Sequence, residues 1–191
     1  AMTLESDINP LVKTTKEIIK NSKIDLTETA LFKHFENFQP NNYQELFSLK
    51  KCKTLSGLSQ FVSFYPWFHK YPQRFLIPGF FGPKDISFPL LRFVRLKNLI
   101  NLISKYNYIP TEEDSITGYK LVDGKKYKFI ITAGAHRSSV LKGLNKIKVI
   151  DINYDSFRLK NKKKIINILD INNWPGVASG FLPRKEAESF F

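Results

Sequence analysis

A run of small, cationic and hydroxyl residues stands near the middle of the chain, where residues 133–139 read AGAHRSS directly after the apolar run YKFIIT. A glycine permits a tight turn that brings backbone N–H groups up to a ligand, and the free amides of a helix's first turn attract anions. Arginine offers a bidentate fork for phosphate oxygens, and histidine and serine add single donors. The pattern predicts a phosphate-binding turn made of Gly134, Ala135, His136, Arg137, Ser138 and Ser139.

His136 is also a candidate catalytic residue, because it would lie beside the bound phosphates. A basic pair is unfavourable at the positive end of a helix dipole, and a bound anion would relieve that conflict. The alternative is structural: His136 and Arg137 would then cap the helix or form ion pairs at a surface turn.

Three carboxylates precede this turn in the chain, at Glu112, Glu113 and Asp114. Phosphoryl transfer needs a base for the acceptor hydroxyl and a metal ion as well as positioned phosphates. Like charges held together raise one pKa toward a useful value, which favours Glu113 or Asp114 as the base. Glu112 and Asp114 are the candidate Mg²⁺ ligands. The alternative is that TEEDS is a solvated loop.

Two further arginines, Arg92 and Arg95, lie one turn apart on a predicted helix that leads toward the acids. Arg95 in particular is a candidate for an additional phosphate contact, with an ordinary surface role as the alternative.

The elements that must position these residues begin at about Phe88, where strands and helices alternate. Residues 92–105 place Leu96, Leu99, Ile100 and Ile103 on one helical face. The segments GYKLV and YKFIIT predict a hairpin across Asp123-Gly124. Residues 127–132 form its second strand, and a helix begins near His136 or Arg137. A strand over 148–152, a helix over 163–169 and a short helix over 184–191 complete this half.

The first half of the chain predicts helices and an irregular connection. Pro10 suits the first turn of a helix over NPLVKTTKEIIKNS. Thr27 is the expected cap of a second helix over TETALFKHFENF, and a third helix follows through YQELFSL. Residues 65–90 combine prolines, glycines and aromatics, which predicts an ordered irregular segment packed on a core. Trp67 and Trp174 are expected in the core, with stacking on a base or sugar as the alternative for Trp174.

The composition is that of a folded domain, with 42% hydrophobic and 25% charged residues in 191. The single cysteine excludes an internal disulfide framework and a cysteine-based zinc cluster. No apolar run approaches the length of a membrane span, and residues 1–20 lack the apolar region of a signal peptide. We therefore expect a cytoplasmic protein without a membrane span.

The net charge of +13 suggests a polyanionic partner. Only six of the thirty basic residues are arginine, however, and the abundance of lysine, asparagine and isoleucine is typical of an AT-rich genome. We expect nucleic acid to bind weakly, with the lysine run at 160–164 as its contact. The pattern indicates no particular oligomeric state.

The order of a helix ending near Tyr106, then Pro110, a hairpin and the segment AGAHRSSVLKGLNKIKVIDI resembles the ParB/sulfiredoxin-like fold over residues 88–152. The resemblance implies that Gly134, His136 and Arg137 hold nucleotide phosphates. Family members include nucleotide-hydrolysing DNA-partition proteins, sulfiredoxin and ParB-like kinases that phosphorylate free serine. The segments YPWFHKYP and NNWPGVASGFLPRKEAESFF also resemble a ParB-like group that accompanies surface-polysaccharide enzymes.

The chain departs from each family pattern at the turn. Sulfiredoxins need a cysteine where this chain has Ala135, so their activity is not expected. ParB proteins have a glutamate there and a helix-turn-helix domain afterwards, for which too few residues follow Ile152. The serine kinases have an acid before the glycine, where this chain has Ala133, so a kinase would need its base elsewhere.

These observations predict an α/β (α+β) chain with a helical and aromatic-rich extension over residues 1–87 packed on a ParB-like nucleotide-binding domain over residues 88–191. The expected function is a kinase that uses a nucleoside triphosphate or diphosphate, ATP foremost, with Mg²⁺ and a small hydroxylated or sugar acceptor. The alternatives are a nucleic-acid-binding module or nuclease, and a nucleotide-sensing domain without chemistry.

Overall fold

The computed structural model describes residues 9–41, 67, 82–111, 115–146, 152–154, 165–180 and 182–188. The predicted helix over YQELFSL, most of the irregular segment over 65–90 and residues 148–151 of a predicted strand lie outside these ranges.

Two helices open the described chain. Helix α1 spans Pro10–Lys20, with Pro10 in its first turn, and the Asn9 side chain accepts from the Leu11 N–H at 2.9 Å. A 3₁₀ turn at Leu26–Glu28 leads to helix α2 at Ala30–Asn37. The predicted cap of this second helix was wrong. Thr29 caps α2, while Thr27 belongs to the 3₁₀ turn that Asp25 caps with its own side chain.

Helix α1 also holds the start of α2. The Glu17 carboxylate accepts from the Ala30 N–H at 2.9 Å, and the Thr14 hydroxyl accepts from the Leu31 N–H at 2.8 Å. Both backbone donors lie in the first turn of α2, where no intrahelical acceptor is available. These bonds fix α2 on α1.

Helix α3 spans Ser87–Tyr106 and confirms the helix predicted over 92–105. Its apolar face is buried as expected at Leu96, Ile100 and Ile103. A hairpin follows, with strand β1 at Ile116–Asp123 and strand β2 at Lys126–Ala133. Asp123 pairs with Lys126, so the two turn residues are Gly124 and Lys125, one position later than predicted.

Helix α4 spans Ala135–Gly143, and strand β3 spans Ile152–Tyr154. The helix predicted over 163–169 was wrong: Ile165–Asn167 form strand β4, and Ile168–Asn173 form a 3₁₀ helix. Adjacent β-branched residues favour a strand, and Ile166 is buried opposite Leu121 of β1. The short helices α5 at Pro175–Ala178 and α6 at Arg184–Glu188 end the described chain.

The four described strands form a mixed sheet around β1. Strand β2 pairs with one edge of β1 in antiparallel fashion, and β3 and β4 both pair with its other edge in parallel. The expectation of a mixed α/β protein is confirmed. Within the described part of the chain, no helix has both the length and the apolar character needed to cross a bilayer.

Each face of the sheet carries its own core. On one face, Ile116 and Ile131 pack with helices α1 to α4. On the other face, Tyr119, Leu121 and Ile130 pack with the C-terminal segment. We call these the helical core and the C-terminal core. The helices of the first half therefore share one core with α3 and α4, which brings α3 against α4.

Candidate functional site

The strand, glycine and helix predicted from AGAHR are present. Strand β2 ends at Ala133, Gly134 has φ 82° and ψ 21°, and α4 starts at Ala135. The helix begins one residue before the predicted start. A Cβ at position 134 would lie 3.1 Å from the Ile116 Cα, so the turn needs glycine both for its left-handed backbone and for its close approach to β1.

The charges of three arginines act on His136. Arg95 and Arg92 come from α3, and Arg137 follows His136 on α4. We call these three residues the arginine cluster. Burial of the ring, and secondarily the charges of the cluster, lower the pKa of His136 to about 4. The imidazole is therefore uncharged at pH 7.

The His136 ring is oriented into the structure. Its Nε2 atom is buried and has no hydrogen-bond partner within the residues that the structure describes. A buried ring nitrogen without a partner costs free energy, and burial opposes its protonation.

The two arginines of α3 differ in their environments. The guanidinium of Arg92 lies 3.4 Å from the centre of the Phe88 ring and 5.6 Å from the centre of the Phe35 ring, and donates to the Phe88 carbonyl at 3.0 Å. Burial, and secondarily the charge of Arg95, lowers the pKa of Arg92. Arg95 is exposed. Stacking on aromatic rings restrains Arg92, so the cluster is partly preorganised.

Arg137 connects the turn to the beginning of β1. Its Nη2 donates to the Ser115 carbonyl at 3.2 Å. Ser115 directly follows Asp114 in the chain. Arg137 therefore has a structural contact in addition to its place in the cluster.

The two serines of the turn are buried. Ser138 and Ser139 are 2% and 1% exposed, and the Ser138 hydroxyl donates to the Ala135 carbonyl at 3.0 Å. That bond occupies the hydroxyl proton of Ser138 within the first turn of α4. The predicted phosphate contacts of Ser138, Ser139 and the Ala135 backbone stay predictions.

The predicted acids Glu112, Glu113 and Asp114 lie outside the described residues, and so does the Mg²⁺ site assigned to Glu112 and Asp114. Among the residues that are described, no group of three or more histidine, cysteine or carboxylate side chains could hold a metal ion.

The tryptophans belong to the C-terminal core. The rings of Trp67 and Trp174 meet edge to face with centroids 5.3 Å apart, and both side chains are buried. Their expected place in the core is confirmed. Trp174 lies with the residues on the sheet face opposite the helices, so it does not provide a stacking platform over the turn.

The sequence indicated Arg92 only weakly as a phosphate-binding residue. The contact of Arg92 with the Phe88 ring was not predicted. The spacing of Phe88 and Arg92, four residues apart on one helix, is the signal that could have found it.

No family model, curated protein or solved structure matches this chain.

Proposed function

We propose that the protein binds the phosphates of a nucleotide between α3 and the first turn of α4, as a nucleotide-dependent phosphotransferase of ParB-like type. The single observation that carries this proposal is that two arginines of α3 and one of α4, two helices that pack together, place their charges around His136 in the first turn of α4. The charges of three arginines from two helices act on a ring in the first turn of α4, and partial burial of Arg92 reduces the screening of its charge.

Repulsion between Arg92 and Arg95 favours a bound anion. Arg92 is half buried and the charge of Arg95 already acts on it. A phosphate group would offset both charges, accept bidentate hydrogen bonds and receive backbone N–H groups from α4. A di- or triphosphate presents more anionic oxygens to these arginines than a monophosphate does, which supports a nucleoside diphosphate or triphosphate.

Transfer to an acceptor would use one acid of residues 112–114 as the base. That carboxylate takes the proton of the acceptor hydroxyl, the acceptor oxygen bonds to the terminal phosphorus, and the bond from that phosphorus to the bridging oxygen breaks. The nucleotide leaves with one phosphate fewer. The arginine cluster would stabilise the charge that spreads over the transferred group. The acceptor would be a small hydroxylated molecule or a sugar, in keeping with the polysaccharide-associated resemblance.

Ligand-induced thermal stabilisation tests the binding step, with each nucleoside diphosphate and triphosphate supplied with and without Mg²⁺. At a hundredfold excess over Kd, a ligand adds about 2.7 kcal/mol to the free energy of unfolding. The melting temperature should then rise by roughly 5 to 10 °C for a chain of this size.

The informative variant is Arg95→Gln, because Arg95 is exposed whereas Arg137 also binds the Ser115 carbonyl. It should weaken nucleotide binding by about 10- to 100-fold, the loss expected for a charged hydrogen bond. The matched control is Arg184→Gln on α6, which removes the same charge and an exposed ion pair with Glu188. The control should keep the full ligand-induced shift. Equal shifts in both variants would overturn the proposed site.

The transfer step is tested with Glu113→Gln and Asp114→Asn. One of the two should lose about 10²- to 10⁴-fold in turnover on an identified acceptor while keeping the nucleotide-induced stabilisation. Wild-type turnover in both variants would move the base elsewhere. Nucleotide binding by the intact protein without transfer to any acceptor would favour the nucleotide-sensing alternative.

A further inference from the structure

Within the described part of the chain, the helices of the helical core cover only one end of their face of the sheet. At that end Ile116 and Ile131 are buried. At the other end, toward the hairpin turn, Tyr127 and Ile165 are 56% and 51% exposed. The strand register places three more side chains on this part of the same face. We call the group the open sheet face: Lys120, Val122, Tyr127, Phe129 and Ile165.

Two aromatic rings stand side by side on the open sheet face. Tyr127 and Phe129 are two residues apart on β2, so their side chains share a face, and their rings meet edge to face with centroids 5.6 Å apart. The Nζ atom of Lys120 lies 4.4 Å from the centre of the Tyr127 ring. These contacts restrain the rings before any partner binds, which lowers the entropy cost of stacking on them.

The charges of the hairpin are mostly positive. Residues 116–133 contain four lysines and a single acid, Asp123. Asp123 lies three positions after Lys120 on β1, so the two residues lie on opposite faces of the sheet. Within the described residues, Lys120 forms no ion pair. An anionic partner therefore has the charge that complements the open sheet face.

We propose that the open sheet face binds single-stranded nucleic acid, with unpaired bases stacked on Tyr127 and Phe129 and a phosphate paired with Lys120. Aromatic rings that stack on bases, beside cationic side chains that contact the backbone, are the general means of binding single strands. A duplex hides the flat faces of its bases, so it cannot use the rings. A partner protein without an acid at this position would bury the Lys120 ammonium without a counter-charge, whereas each nucleotide brings a phosphate.

This site is separate from the arginine cluster on α3 and α4, so it adds a binding activity and does not depend on the proposed function. It also differs from the expectation that the lysine run at 160–164 is the contact for nucleic acid. Stacking needs no particular base, so the binding is independent of sequence. Few phosphates are paired, and the affinity therefore falls as the salt concentration rises.

Fluorescence anisotropy tests the stacking with three labelled probes of the same length, about ten nucleotides: a thymidine strand, the same strand without its bases, and a duplex. The abasic strand keeps the phosphates, so it isolates the contribution of charge. The duplex has twice as many phosphates, so charge alone would favour it. At about 50 mM salt the thymidine strand should bind about tenfold or more tightly than the other two probes. Equal affinities for all three probes, or no binding of the thymidine strand, would overturn the proposal.

The decisive variant is Tyr127→Ala, which should weaken binding of the thymidine strand by about 5- to 150-fold, the loss expected for one stacked base. Tyr127→Phe keeps the ring and should bind as the wild type does, which separates stacking from a loss of folding. The matched control is Tyr106→Ala on α3. Tyr106 is 58% exposed and has the Lys105 Nζ atom 4.8 Å from its ring centre, but it lies away from the sheet. Equal affinities of Tyr127→Ala and Tyr106→Ala would contradict the proposed site.

The salt dependence tests the phosphate contact. Lys120→Gln should make the slope of log affinity against log salt shallower by about 0.7, the value for one phosphate of a single strand, and Lys105→Gln should leave it unchanged. Arg95→Gln should bind the thymidine strand as the wild type does. Loss of binding in Arg95→Gln would place the strand in the arginine cluster. Loss only on replacement of the lysines of 160–164 by glutamine would place it on that run, and either result would show that the open sheet face is not the site.

Discussion

At pH 7 the imidazole of His136 is neutral among three guanidinium groups, and this makes the free energy of unfolding depend on pH. The folded-state pKa of about 4 lies below the ordinary value of 6.5. Between these two values the unfolded chain binds more protons than the folded chain. The stabilisation is complete above pH 6.5 and decreases as the pH falls toward 4. His34 contributes in the same direction, because burial lowers its pKa.

We predict that His136→Gln flattens this dependence. Between pH 7 and pH 4.5 the wild type should lose roughly 1 to 2 kcal/mol more than the variant, after allowance for solvent screening of a partly exposed ring. Urea unfolding at a series of pH values, in a buffer without phosphate or sulfate, measures the difference. Parallel curves for the two proteins would show that His136 titrates normally.

Gly134 is the second residue on which the site depends. An alanine there must adopt φ 82° and place its Cβ 3.0 Å from the Ile116 side chain and 3.1 Å from its Cα. Gly180 provides a control, since it has φ 72° and no atom lies within 4 Å of the position that a Cβ would take there. Gly180→Ala should cost about 1 to 2 kcal/mol from the backbone alone, and Gly134→Ala clearly more. Equal losses in urea unfolding would contradict the close approach.

At the residue scale, the sequence predicted the turn because its signal is local: a glycine after an apolar strand and before a helix. The place of Arg92 in the site could not be predicted in the same way. It depends on α3 and α4 sharing the helical core, which is a contact between residues far apart in the chain. Local spacing carries no information about which two helices meet.

At the scale of elements, α4 is held against α1 at one close contact. A Cβ at Gly143 would overlap the Thr15 side chain, whose Cβ lies 2.9 Å from that position. The Thr15 hydroxyl donates to the Leu11 carbonyl at 2.8 Å, which fixes its rotamer. This contact sets how closely α4, and with it the phosphate-binding turn, approaches the helical core.

We predict that Gly143→Ala destabilises the protein by about 1 to 3 kcal/mol, although alanine is the better helix former. Thr15→Ser removes the methyl group nearest to the new Cβ and keeps the hydroxyl. The double variant should therefore recover part of the loss, and a double-mutant cycle in urea measures this coupling. Additive losses would mean that the two positions do not touch.

The elements themselves were predictable to different degrees. The hairpin and α3 follow from local apolar patterns and from a glycine between two strands, and both are present, although the turn residues are Gly124 and Lys125 and not Asp123 and Gly124. The helix predicted over residues 163–169 is wrong, because the apolar positions of so short a run fit either period. The choice of strand depends on pairing between Ile166 and Leu121 of β1, which is a tertiary effect.

For the whole molecule, the net charge of +13 is the feature that favours nucleic acid as an alternative partner. Six of the thirty basic residues are arginine, and three of these form the cluster. We predict weak, sequence-independent binding that disappears by about physiological salt, because dispersed lysines make few fixed phosphate contacts. Fluorescence anisotropy with unrelated DNA and RNA oligonucleotides across a salt series tests this. Tight, sequence-dependent binding at about 150 mM salt would favour the nucleic-acid alternative.

The overall architecture could be predicted only in part. Helices on one sheet face follow from the apolar periodicity of α1, α2 and α3. The C-terminal core on the opposite face does not, because it is assembled from short elements and two tryptophans that lie far apart in the chain. The boundary between residues 1–87 and 88–191 stays a prediction.

A crystal structure with ATPγS locates the bound phosphates most directly, because anomalous scattering from sulfur marks the terminal group. We predict phosphate oxygens within about 3.2 Å of at least two guanidinium groups of the arginine cluster and of a ring nitrogen of His136. Phosphates bound on the lysine-rich surface, with the arginine cluster and His136 left without contact to the nucleotide, would contradict the proposed site.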